Sequence, residues 1–199
     1  SGLWNFFLPH AEIGRGLTNL DYAYIAAELG KHPLASESLN CSAPDTGNME
    51  VIERVGTPAQ KERWLKPLLN GEIRSCFGMT EPGLASSDAR NIATAAVLDG
   101  DEWVINGEKW FSSNARFASF LIVMAVTDPD NPPYQRMSMF IVPKERGDAH
   151  GFELTSDSAH GTGKMEGRPI DTIGYRGMHS YEVALEDWFV PAANLIGLE

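Results

Sequence analysis

Two stretches of this chain concentrate side chains that could hold a ligand: CFGMTEPGLASSD from Cys76 to Asp88, and NGEKWFSSN from Asn106 to Asn114. Thr80, Ser86 and Ser87 supply hydroxyls in the first, Ser112 and Ser113 in the second. Gly78 and Gly83 let backbone approach a ligand closely, and Pro82 fixes a turn. Phe77, Trp110 and Phe111 offer flat apolar faces. Aromatic faces, hydroxyls and free backbone N–H groups together suit a planar heterocycle that carries a phosphate chain, which is a flavin-type site. The same residues also read as a polar turn beside core aromatics, because strands bury aromatic rings whether or not they bind anything. The segment between the two stretches is apolar with period two, so both read as turns of one sheet over a shared ligand.

The elements that must position these stretches differ on either side of Gly71. Before it the pattern is helical. Thr18 or Asn19 caps a helix through Leu20, Tyr24 and Ala27 that closes at Gly30, and Asp45, Thr46 and Gly47 start another carrying Met49, Ile52 and Val55. Thr57 followed by Pro58 opens a helix through Trp64, Leu65, Leu68 and Leu69, ending at Asn70-Gly71. After Gly71, short runs rich in β-branched and aromatic residues take over. They are Ile73 to Met79, Ala93 to Leu98, Trp103 to Ile105, Phe120 to Val126, Met137 to Val142, Gly151 to Leu154, Ile170 to Ile173 and Val183 to Val190. Asp99-Gly100-Asp101 and Asn106-Gly107 read as hairpin turns, and Ser156 to Arg168 as a small, polar, solvated loop. Closely spaced strands without intervening helices predict a β-barrel or two-sheet domain. The expected division is a helical part over 1–71 and a β domain over 72–199.

Bulk composition excludes several function classes. Of 199 residues 43% are hydrophobic and 22% charged, ordinary for a globular protein. Sixteen Lys and Arg against 27 Asp and Glu give a net charge of −11, which cannot neutralise a run of phosphates, so no nucleic-acid partner is expected. An anionic ligand must then be bound by local donors. No apolar run is long enough to span a bilayer, and SGLWNFFLPH lacks a signal-like core. Its Trp4, Phe6 and Phe7 are apolar for a free end, which predicts that something precedes Ser1. Cys41 and Cys76 form no disulfide framework, in keeping with an intracellular compartment: cytoplasmic in a bacterium, mitochondrial or peroxisomal in a eukaryote. The five histidines show no motif spacing, no serine sits in a GxSxG elbow, and metal-binding patterns are missing. No GxG element follows a strand and opens a helix, which excludes a dinucleotide fold of the Rossmann type.

The two stretches resemble the signatures of the acyl-CoA dehydrogenase family, TEPxxGSD followed across a hairpin by NGxKxWITN. Here they stand as Thr80 to Asp88, with one extra residue and Ala85-Ser86 where Gly is usual, and as Asn106 to Asn114, with Phe111 for Trp and Ser113 for Thr. The likeness extends over nearly the whole chain. APDTGNME, VGTPAQKERWL and PLLNGE resemble the last helices of the family's N-terminal domain, and EDWFVPAANLIG resembles the end of its middle β-barrel domain. APDTGNME and the SSDA variant are similar to a subgroup often found within larger multidomain chains.

The resemblance implies an α+β fold: a partial N-terminal helical domain, then the middle β-barrel, without the family's C-terminal helical bundle. It implies FAD as cofactor, with Phe77, Met79, Thr80, Ser86, Ser87, Phe111, Ser112 and Ser113 facing it, and Ser86 and Ser87 also towards the CoA ester. The implied reaction is α,β-dehydrogenation of an acyl-CoA thioester, with electron-transfer flavoprotein as acceptor and a homo-oligomer as the full-length state. Glu81 belongs to the turn, and the family's catalytic glutamate is expected beyond Glu199, so the chain reads as a fragment with no catalytic base of its own. Two other readings stand beside this one. One is an acyl-CoA oxidase or nitroalkane oxidase relative; the other is a non-catalytic barrel module without FAD, which the intact hydroxyls at Thr80, Ser87 and Ser113 disfavour.

Overall fold

The computed structural model describes residues 3–10, 12–85, 88–174 and 177–197. The chain divides into two compact units, Ser1–Ile73 and Arg74–Glu199.

The first unit is helical. Helix α1 (Asn19–Leu29) opens on a capping box in which the Thr18 side chain accepts from Asp21 N while the Asp21 carboxylate accepts from Thr18 N, and it closes at Gly30. A short α2 (Ala35–Ser38) follows, then α3 (Asp45–Val55), whose Met49 and Ile52 are fully buried. Thr57 and Gln60 form a second capping box, with Pro58 at the first position of α4 (Pro58–Gln60). The helix continues through a π turn, Lys61–Leu65, into α5 (Lys66–Leu69). Pro67 explains the π turn: it has no N–H to give Arg63 O, so the regular ladder is broken there. Carbonyls left over at the end of α5 are taken by side chains. Trp4 Nε1 and Asn5 Nδ2 donate to Leu69 O at 2.6 and 3.0 Å, and Asn40 Nδ2 donates to Leu68 O at 3.1 Å.

Among the described residues the second unit forms a mixed sheet of nine strands: β1 (Ser75–Gly78), β2 (Ala95–Asp99), β3 (Glu102–Ser113), β4 (Phe120–Val126), β5 (Met137–Pro143), β6 (Phe152–Ser158), β7 (Gly161–Pro169), β8 (Ser180–Pro191) and β9 (Leu195–Ile196). Their order is β6-β7-β8-β3-β2-β4-β5-β9, with β1 added in parallel beside β4. The sheet curls round one core. Met165 of β7 and Val183 of β8 share a buried cluster with Val123 of β4 and Phe140 of β5, although these strands lie far apart in the pairing order. Long strands that bend at bulges make such corners, and β3 and β8, twelve residues each, carry two register shifts between them.

Three sequence expectations are corrected here. Asn106-Gly107 is no turn: β3 runs straight through it. At this point β8 carries one extra residue, Asp187 at φ +45°, and the Asn106 side chain fills the ladder by accepting from Asp187 N at 2.8 Å. Gly107 is required by close approach, since a Cβ there would lie 2.5 Å from Thr94 Oγ1. Ser156 to Arg168 is not a loop but most of the β6–β7 hairpin, paired from Phe152↔Gly167 to Ser158↔Gly161. Two of its glycines are packing residues: a Cβ on Gly163 would sit 2.2 Å from Asp187 O, and one on Gly167 2.2 Å from Phe152 Cε1. Ile170 to Ile173 is not a strand, and Ile173 is fully exposed. The other strand readings coincide with observed strands, and Gly100 at φ +64° makes the β2–β3 turn.

These contacts predict opposite results for two glycine substitutions in urea unfolding. Gly163→Ala meets a backbone oxygen that cannot move cheaply, so it should lower stability by about 1–3 kcal/mol. Gly47→Ala, within α3 with nothing within 4 Å of the new Cβ, should be neutral or raise stability by up to about 1 kcal/mol.

Candidate functional site

The signature turn follows β1. Gly78 ends the strand and Met79 to Pro82 lead into Gly83, which at φ +75° takes the left-handed conformation that glycine favours. Lys109 comes from β3 on the inward-facing parity that begins at Ile105, and its stem passes beside Gly78, where an added Cβ would meet Lys109 Cγ at 3.2 Å. The ammonium donates to Glu81 Oε1 at 2.8 Å and to Met79 O at 3.2 Å. Glu81 also accepts from Ala93 N at 2.8 Å and Thr94 N at 2.9 Å. Lys109 is 0% and Glu81 4% exposed, so this is a buried ion pair whose lone pairs are met by backbone donors. Burial pushes the Glu81 carboxyl up, but the hydrogen bonds from Lys109, Thr94 and Ala93 outweigh it and hold the group below its ordinary value. Burial pulls the Lys109 ammonium down, against the opposing pull of Glu81.

The second stretch is fastened to the first one residue further on. Trp110 N–H donates to Thr80 O at 2.6 Å. Between Lys109 and Ser112 the pairing with β8 gains one residue on the β3 side, and Phe111 occupies this bulge at φ +52°. A bulky aromatic in the left-handed region is strained and persists only where its surroundings hold it. Phe111 is nonetheless 48% exposed, with its ring 4.4 Å from that of Trp110. Beyond the bulge, Ser113 Oγ shares a hydrogen bond of 3.1 Å with Ser180 Oγ. Asn114, at φ +67°, donates from its side chain to Ser75 O at 3.2 Å and from its backbone to His179 O at 2.9 Å. The end of β3 is thereby tied to both β1 and β8.

Of the residues singled out from sequence, the fold brings Met79, Thr80 and Phe111 together through the Lys109 and Trp110 bonds. Phe77 is half-buried in β1, opposite Ile122. The Ser112 side chain is fully buried and its hydroxyl has no partner, so only its backbone is placed to meet a ligand outside the sheet. Ser86 and Ser87 lie outside the described residues. Sequence reasoning passed over Lys109, Ala93 and Thr94. The signal for Lys109 was a lysine at the buried parity of an alternating strand, where a cation needs a partner. Beside the site, β2 and β4 share a single pair, Ala95↔Val126, and the gap is a cavity of about 460 Å³ lined by Ile92, Val97, Pro129 and Arg136 among others. Among the described residues no three His, Cys, Asp or Glu side chains could hold a metal, and no helix is long and apolar enough to cross a membrane.

A helical unit leading into this sheet, with the site on a bulge beside the turn, defines a class that comparison makes specific. Residues 1–72 match the family described as "Acyl-CoA dehydrogenase, N-terminal domain", and residues 76–188 that described as "Acyl-CoA dehydrogenase, middle domain". The chain is 44% identical to "Probable acyl-CoA dehydrogenase FadE2" of Mycobacterium tuberculosis, over 100% of its own length and 45% of that protein. Its fold matches the structure of a putative acyl-CoA dehydrogenase from Mycobacterium abscessus with a TM-score of 0.83 and 42% identity, covering 98% of this chain and 46% of that one. Butyryl-CoA dehydrogenase from Megasphaera elsdenii matches with a TM-score of 0.71 and 28% identity, over 100% and 48% of the two chains. The chain belongs to the acyl-CoA dehydrogenase family. It spans under half the length of these relatives.

Removing one member of the buried pair strands the other. Lys109→Met should cost about 3–5 kcal/mol in urea unfolding. Because the folded Glu81 carboxyl is held below its ordinary 4.5, its stabilisation is complete above that value and is lost as pH falls through the lowered folded value. The stability gap between the unsubstituted chain and Glu81→Gln should therefore be constant near neutrality and shrink as the solution is acidified below 4.5.

Proposed function

We propose that this chain forms the flavin- and thioester-facing part of an enzyme that dehydrogenates acyl-CoA thioesters between Cα and Cβ. The observation that carries this reading is Phe111: an exposed aromatic held at positive φ on a bulge, its neighbour Trp110 bonded to the Thr80 carbonyl. Strain at an exposed aromatic is explained if a flat ring covers it. The residues present suit FAD. Phe111 would offer a face to the isoalloxazine, and Thr80 with the peptide at Met79 would supply polar groups to it. Ser113, whose hydroxyl is held by Ser180, would be a further hydroxyl toward the cofactor, as the resemblance implies. By the resemblance of the signature, Ser86 and Ser87 are the proposed contacts to the cofactor and the CoA ester.

FAD, when bound, would supply the electron sink that accepts the β-hydrogen as hydride. The chain's own residues orient the ring, shield one face from water and hold hydrogen-bonding groups at its edge. Glu81 does not serve as the base for the α-proton. Its carboxylate is committed to Lys109 and to the amides of Ala93 and Thr94, and it is held as the weak base that a lowered pKa implies. We take the base to be contributed from outside these 199 residues, as the family resemblance implies, with electron-transfer flavoprotein as the proposed acceptor from the reduced enzyme.

Titrating the purified chain with FAD while recording the visible spectrum tests this reading. A shifted, structured flavin spectrum is expected, and Phe111→Ala should weaken binding by about 3–10-fold, the worth of one aromatic contact. A spectrum identical to that of free flavin at all concentrations would overturn it.

A further inference from the structure

We infer that Glu81 and Lys109 are positioning residues for the cofactor: their ion pair sets the spacing of the two segments that flank the flavin ring. This inference rests on the flavin reading above and goes further, because it assigns a role in ligand binding to two side chains that a ligand outside the sheet would not touch. Lys109 is wholly buried and Glu81 nearly so.

Three bonds carry the argument. Lys109 Nζ holds Met79 O at 3.2 Å and Glu81 Oε1 at 2.8 Å, so one ammonium grips the residues on both sides of Thr80. The next residue on β3, Trp110, donates its N–H to Thr80 O itself at 2.6 Å. Thr80 is thus fixed from below by the side chain of Lys109 and from the side by the backbone that leads directly into Phe111. On the far side, Glu81 is fastened to the start of β2 through Ala93 N at 2.8 Å and Thr94 N at 2.9 Å. The separation between the Thr80 peptide and the backbone that enters Phe111 is therefore held by the Trp110 N–H and by the charge-assisted bonds of Lys109. A preformed gap of fixed width spares a planar ligand the cost of ordering its site. An ion pair kept only for stability would be replaceable by neutral side chains of similar size. A pair kept for spacing would not.

That difference supplies the test. In Lys109→Met, stability and FAD affinity should both fall. In the double variant Glu81→Gln with Lys109→Met, the uncompensated charge is gone and stability should recover in part, while FAD affinity should stay at least about tenfold below that of the unsubstituted chain, the worth of about one hydrogen bond in geometry. Gly163→Ala, destabilised at β7 away from the site, should bind FAD as tightly as the unsubstituted chain at a temperature where both are folded. Amide hydrogen exchange of the cofactor-free proteins adds a readout independent of FAD: the Trp110 N–H should exchange faster in the double variant and not in Gly163→Ala. FAD binding by the double variant at unsubstituted affinity, with Trp110 exchange unchanged, would overturn the inference while leaving the flavin reading intact. Failure of the unsubstituted chain to bind FAD would instead overturn the flavin reading, and the positioning role with it.

Discussion

A lysine ammonium buried inside a β-sheet core has to be neutralised on the spot, and that requirement shapes the site region of this protein. Lys109 meets it with Glu81 Oε1, which also accepts from the amide of Thr94, while the second carboxylate oxygen accepts from the amide of Ala93. Four points of the chain are thereby drawn to one place: the end of β1, the signature turn, the start of β2 and the middle of β3. Other details follow from the same crowding. Gly78 is small because the Lys109 stem runs past it, and Gly107 is small because Thr94 lies against it. The pair is an expensive way to hold a core together. Its geometry makes more sense as a means of holding backbone at a fixed place, since hydrogen bonds to a charge are directional in a way that aliphatic packing is not.

Irregularities in the sheet do the rest. Asp187 and Phe111 each occupy an inserted position in a strand, both at positive φ, and both lie on the β3–β8 ladder. The first is stabilised locally, by the Asn106 side chain, and bends the strand pair as the sheet curls. The second has no such compensation at its side chain. It turns an aromatic ring outward at the point where β3 meets the Thr80 peptide. A defect that is stabilised on its own terms is architecture, whereas one left exposed and strained marks a place where a ligand can complete the structure. The proposed function gives that role to a flavin, and the exposed Phe111 ring beside the Thr80 peptide is suited to receive one.

Much of this was legible before any coordinates. Capping chemistry located helix starts: Thr18 and Thr57 each offer a side-chain acceptor to the orphan amides of a first helical turn, and Pro58 suits its first position, so local sequence suffices. Apolar runs such as Phe120 to Val126 are strands because their side chains have no other use. The paired motifs at Thr80 and Asn106 identified the family and pointed to Thr80 and Phe111. The two segments misread as a turn and a loop share one cause. Asn106-Gly107 and two glycines of β7, Gly163 and Gly167, carry turn chemistry, yet each of these glycines is needed because another part of the chain presses against it: Thr94 for Gly107, the Asp187 carbonyl for Gly163, the Phe152 ring for Gly167. A contact of that kind leaves no trace in the neighbouring sequence.

The division between sequence and tertiary structure runs along the range of the forces involved. Periodicity, capping and motif order are local or nearly so, and they determined the helical part, the β part and the two stretches that face each other. Which lysine meets which glutamate, where a strand gains a residue, and which serine points inward are decided by strands that pair across long intervals, such as Ser112 opposite Tyr181 and Ser113 opposite Ser180. Ser112 and Ser113 are indistinguishable as letters. The bulge at Phe111 sets the parity that buries one and leaves the other to bond across the ladder, because in a strand a shift of a single residue exchanges the two faces.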